Sequence, residues 1–126
     1  MPEIAAIVAC VVLAALSIFQ ISLAAGTPLG RFAWGGQHDV LPSRLRGASI
    51  FSVVLYGFFA LVALNQAGII TALRPGLAQP LLIAMTVYFF IGIGMNAISR
   101  SRPERFVMTP VAAILALTFL IICLRP

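Results

Sequence analysis

From Ile4 to Ala25 the chain carries no charged side chain, and the same holds for Gly47 to Gly68, Ala78 to Ile98 and Phe106 to Leu124. At 1.5 Å per residue, about 20 such residues cross a hydrocarbon layer of about 30 Å as a helix. Only helices and closed barrels satisfy their peptide groups in that medium. Four runs of this length predict an all-α fold, an integral membrane antiparallel four-helix bundle with spans at about 4–25, 47–68, 78–98 and 106–124. Composition agrees, because 62% hydrophobic and 9% charged residues leave too few charges to cover a water-facing surface, which in soluble domains takes about 25%. Residues 1–126 read as a single transmembrane domain with a structured cytosolic loop at 26–46.

The breaks between runs carry turn chemistry. Glu3 stands where a signal peptide would place basic residues, and the first run is too long for a signal core, so it reads as a retained helix. Pro42 breaks the chain before the second span, and Ser43 is placed to cap that helix's free N–H groups. Thr71, Arg74, Pro75 and Gly76 predict a tight antiparallel hairpin between the second and third spans, with Leu77 or Pro80 opening the third. Residues 99–105, SRSRPER, form the last break, and Pro110 follows in the first turn or so of the fourth helix, where a missing N–H costs least.

The formal charge of +5 comes from Arg alone, since the chain has no Lys. Arg31, Arg44, Arg46, Arg100, Arg102 and Arg105 fall on one side of a four-span topology, and Arg74 and Arg125 on the other. Positive residues stay in the cytosol, so both termini are expected in the periplasm. Arg that flank apolar spans meet anionic headgroups. Without a basic helix or an aromatic-interleaved soluble module, nucleic acid is not an expected partner.

Residues three, four and seven apart share a helix face. Small residues recur at that spacing: Ala6, Cys10, Ser17, Gln20 and Ala24 in the first helix, and Ser49, Ser52, Tyr56, Ala60, Ala63 and Ala67 in the second. The third offers Ala84, Tyr88, Gly92, Asn96 and Ser99, and the fourth Thr109, Ala112, Ala113, Ala116 and Cys123. Such faces allow the close approach that holds membrane helices together, within one chain or between copies. The two halves share a plan of helix, Arg-rich turn and helix, with Arg-Phe in both turns at residues 31–32 and 105–106. Cys10 and Cys123 lie inside apolar runs and read as small buried hydrophobes.

The chemistry-bearing side chains concentrate in the opening loop, which holds the only His and the only Trp. Gly26, Pro28, Gly30, Gly35, Gly36 and Pro42 interrupt it too often for an ordinary helix, so a turn-rich cap is expected. Phe32 and Trp34 suit the membrane interface, with the indole N–H directed towards water or headgroups, and ligand stacking is the alternative. His38 beside Asp39 resembles an acid and base pair, but neighbours in sequence rarely face one another and no activated nucleophile accompanies them. One His excludes paired-His haem and multi-His zinc within a chain, so neither a metal nor a cofactor is expected. Candidate headgroup or ligand residues are Arg31, Trp34, His38, Arg44, Arg46, Asn96, Arg100 and Arg105. Glu104 is expected to pair with Arg100 or Arg44. No Asp, Glu or Lys falls in mid-membrane, which counts against proton-coupled export of cationic compounds.

The loop AGxPxGxxxWGGxHxxLP at 25–42 and the later NxxSxSxxER at 96–105 resemble a group of small bacterial four-helix integral membrane proteins. The resemblance implies a bacterial inner-membrane location and assigns neither a substrate nor a catalytic residue.

The expected function is therefore non-enzymatic: an Arg-rich cytosolic cap, built from the opening loop and the SRSRPER turn, that binds an anionic lipid headgroup or a partner protein. The alternative is a small transporter or channel assembled from several copies. The Arg distribution generates a direct prediction about sidedness. A reporter active only in the cytosol should be bright when inserted in SRSRPER and silent when fused after Pro126; the opposite pattern would invert the topology.

Overall fold

A computed structural model describes residues 2–124. Four long helices form on the four uncharged runs: α1 Pro2–Ala24, α2 Ser43–Gln66, α3 Ala78–Ala97 and α4 Arg102–Leu124. Each is long and apolar enough to cross a membrane. Between 22% and 33% of the most apolar stretch of each helix is buried, so most of its side chains point outwards. Ile18, Phe51, Ile91 and Leu117 are all more than half exposed. Water would drive such a surface to aggregate, whereas lipid solvates it. The chain is a multi-pass membrane protein with an all-helical bundle.

Two helix starts differ from the sequence expectation. α2 begins at Ser43 rather than Gly47, and Ser43 makes no side-chain cap; Pro42, in extended conformation, supplies its carbonyl to the N–H groups of Leu45 and Arg46 at 3.0 Å each. α4 begins at Arg102, inside the SRSRPER segment, with Pro103 in the first turn, where its missing N–H costs nothing. Glu104 then sits at the positive end of the helix dipole. The early start leaves Pro110 two turns inside α4, not in its first turn, where it withholds the N–H that would reach the Phe106 carbonyl. Arg125, counted above on the far side, lies outside the described residues.

α3 packs along α4 and α1 along α2, with α1 also crossing α4, while α2 and α3 touch over a much shorter length. The tight hairpins are thus the two halves of the chain, not the α2 and α3 pair. The segment between α2 and α3 is an ordered loop, because Asn65 Oδ1 accepts the N–H groups of Ala72 and Leu73 at 2.8 and 2.9 Å. Gln66 donates to Gln79 at 3.3 Å, and Gln79 donates to the Cys123 carbonyl at 2.9 Å, tying three helices at that end. Cys10 and Cys123 are free thiols.

Ala5, Ala6, Ala9 and Leu13 of α1 meet Val62 and Ala63 of α2, Leu82, Met85 and Phe89 of α3, and Leu115, Ala116, Phe119 and Ile122 of α4. The expected small faces hold for the start of α1 and for Ala63, Ala112 and Ala116. They fail on α3, where Ala84 is exposed and Tyr88 is 54% exposed. The buried arc there is displaced by about one residue, onto Phe89. Its ring lies 5.5 Å from Phe59 and 5.1 Å from Phe119, centroid to centroid. Lipid offers no hydrophobic drive, so the dispersion contacts among these rings hold the helices together there. Ser17, Ser52, Thr86 and Thr118 bond back to carbonyls of their own helices and need no partner across the bundle.

Close packing around Ala116, which is fully buried, predicts that Ala116→Leu destabilises the bundle by about 1–3 kcal/mol. A Cβ at Gly94 would meet nothing within 4 Å, so Gly94→Ala should be neutral or slightly stabilising. Thermal unfolding in detergent, followed by circular dichroism, separates the two; equal melting would mean that the bundle does not pack as described.

Candidate functional site

α1 ends where Gly26 adopts φ +99°, a left-handed conformation that favours glycine. Its N–H bonds to the Leu23 carbonyl and that of Thr27 to the Ser22 carbonyl, which closes the helix and turns the chain across the bundle end. Two short 3-10 turns follow, Gly30–Phe32 and Trp34–Gly36. The opening loop is the turn-rich cap that its glycines and prolines predicted.

Close backbone contacts fix this cap. Gly30 N–H bonds to the Asp39 carbonyl at 2.8 Å, and a Cβ on Gly30 would fall on the His38 carbonyl oxygen. At the other edge the Ser101 hydroxyl donates to the Arg31 carbonyl, and a Cβ on Gly36 would collide with Ser101. The opening loop and the α3–α4 turn are therefore one unit. Trp34 has φ +52°, which costs a residue with a Cβ about 1 kcal/mol or more. Its indole N–H reaches the buried Ser49 hydroxyl at 3.3 Å, and its ring stands over the space between the helices. That N–H is directed into the bundle rather than to water or headgroups.

The candidate residues separate into groups. Trp34, Asn96 and Arg100 line one surface groove of about 780 Å³, together with Gln37, Ser101 and Arg102. Arg31 is exposed with its guanidinium 5.0 Å from the Phe32 ring centroid. Arg105 similarly lies 5.0 Å from Phe106 and donates to the Ser99 carbonyl at 3.2 Å. Arg46 is held by the Leu41 carbonyl at 2.8 Å, within α2's first turn. Arg44 and His38 are exposed, and neither lines the groove. Of the five candidate Arg, Arg100 alone lines the groove. Arg102, counted with the cytosolic Arg but not among the candidate binding residues, joins it there because α4 starts early enough to carry it to the groove.

Glu104 does not pair with Arg100 or Arg44. It is 8% exposed, and its carboxylate accepts a hydrogen bond from the Ser99 hydroxyl. Among the described residues it has no cationic partner. It lines both the groove and a second space inside the bundle, whose walls include Gln20, Tyr56 and Tyr88. From the sequence, Gln20, Tyr56 and Tyr88 were expected on packing faces and Glu104 in an ion pair, none of them at a binding site. Two signals were present: Gln20 is the one amide side chain inside the first apolar run, and Glu104 is one of only three acidic residues.

No protein-family model, curated protein or solved structure matches this chain.

The contacts beneath Gly30 and Gly36 predict that Gly30→Ala and Gly36→Ala each release the cap at a cost above about 1 kcal/mol. The emission of Trp34, the sole Trp, should shift to the red while the helical signal is retained. An unshifted emission would mean that the cap is not pinned at these points.

Proposed function

We propose that the chain is a non-enzymatic protein of the bacterial inner membrane, with both termini periplasmic, whose cytosolic Arg-rich cap binds an anionic lipid. The groove between the cap and α3 carries this reading. At its surface end stand the exposed guanidiniums of Arg100 and Arg102 with the Ser101 and Gln37 side chains. It then continues past Met95 and Ile91 to Tyr88, nine residues back along α3 from Ala97, or about 14 Å at the helical rise. Polar and cationic at one end and apolar along the other, it has the amphipathic profile of a headgroup joined to its acyl chain. Two Arg against the one Glu104 leave the polar end net positive. Each Arg near an anionic leaflet contributes about 1 kcal/mol, and a guanidinium grips phosphate with two parallel hydrogen bonds where an ammonium acts as a point charge.

Native mass spectrometry of co-purified lipid tests this reading. Arg100→Lys and Arg102→Lys should each reduce retention of phosphatidylglycerol about fivefold, the equivalent of about 1 kcal/mol. Arg44→Lys, outside the groove, should leave it unchanged. Identical lipid profiles for all three variants and the parent protein would reduce the Arg to topology signals, since the positive-inside rule counts Lys and Arg alike.

A further inference from the structure

Beneath Trp34, between the helices, lies a second space of about 220 Å³, below the range of about 300–1,000 Å³ that drug-sized ligands occupy. Six aromatic side chains stand in its wall: Phe19, Phe32, Trp34, Tyr56, Tyr88 and Phe89. Among the described residues lining it, Glu104 is the only charged one, and no Arg enters. That is notable in a chain with eight Arg and three acidic residues.

One buried acceptor in this wall lacks a donor, and one carboxylate has no counter-charge. Glu104, 8% exposed, receives the Ser99 hydroxyl at Oε1 and has no cationic partner among the described residues. A carboxylate has sites for about four hydrogen bonds, so capacity remains for the donors of a ligand. Gln20, 7% exposed, neighbours the Tyr56 hydroxyl, yet its Oε1 is buried without any hydrogen bond. An acceptor left in that condition is unfavourable. The orphaned Gln20 oxygen and the Glu104 carboxylate together favour a ligand that brings donors and positive charge. The rings add to this demand, since aromatic faces attract cations. An anion would meet Glu104 and the ring faces, and a neutral apolar molecule would leave the Gln20 acceptor unmet.

We propose that this cavity binds a small organic ammonium ion, with Glu104 as its counter-charge, Gln20 Oε1 as a further acceptor and the aromatic wall as its box. The site is separate from the lipid groove in residues and in the sign of charge it selects, apart from the Trp34, Glu104 and α3 residues of the shared wall. The ammonium can be a soluble amine or the headgroup of a zwitterionic lipid.

The test uses the full chain in a neutral detergent free of anionic lipid, so that failure of the headgroup groove does not affect it. Trp34, the only Trp and part of the wall, reports occupancy by its fluorescence. Choline should give a saturable change, and its neutral isostere, with carbon in place of the quaternary nitrogen, should give none over the same range. Glu104→Gln, similar in shape and still able to bond to Ser99, should raise the half-saturating choline concentration about tenfold or more. Equal responses to choline and the isostere, or no saturable response to either, would overturn the proposal without recourse to any variant. An unchanged Glu104→Gln titration would overturn the role of the carboxylate. Repeating the choline titration in phosphatidylglycerol nanodiscs, with and without phosphatidylcholine, identifies the source: competition by the lipid marks a headgroup, and its absence marks a soluble amine.

Discussion

Hydrocarbon leaves a peptide group no partner but another peptide group, and this one constraint arranges the rest of the molecule. It makes the apolar runs helical from end to end and confines irregular backbone to the bundle ends. The opening loop can be dense in glycine and adopt positive φ at Trp34 only because it lies there, stitched by its own carbonyls and by Ser101. Several polar side chains within the spans obey the same rule. Thr86 and Thr118 donate their hydroxyls to carbonyls three or four residues back.

With backbone bonding satisfied inside each helix, association rests on contact alone. The aromatic rings of Phe59, Phe89 and Phe119 supply it in the middle of the bundle, and the small residues Ala6, Ala9 and Ala63 supply it near the end that α1 begins. Where α2 and α3 separate, neither device is present in full, and the aromatic cavity occupies the difference. The same looseness leaves Tyr88 half exposed at the edge of both the cavity and the groove.

The spans were legible because the absence of charge over about 20 residues is a physical condition for residence in lipid, and the structure places four helices on those four runs. The union of the opening loop with the SRSRPER turn was legible too, since four spans force both onto one side. The rotation of α3 was not. Periodicity defines which residues share a face but not which face is inside, and small residues on one arc of α3 competed with Phe89 on the next. Glu104 was misjudged for a related reason: a shared side of the bundle with Arg100 and Arg44 suggested an ion pair, but the early start of α4 turns the carboxylate inwards to Ser99 while Arg105 turns to the Ser99 carbonyl.

The cap joins parts of the chain that are made at different times. Its loop belongs to the α1–α2 half, whereas Ser101, whose hydroxyl donates to the Arg31 carbonyl, lies in the α3–α4 half. During synthesis the first hairpin is complete while the hydroxyl that fastens its loop does not yet exist. Formation of the Arg31 and Ser101 contact therefore marks the moment at which the second hairpin has arrived beside the first, and a chain arrested after α2 would leave Gly36 and its neighbouring backbone unfastened.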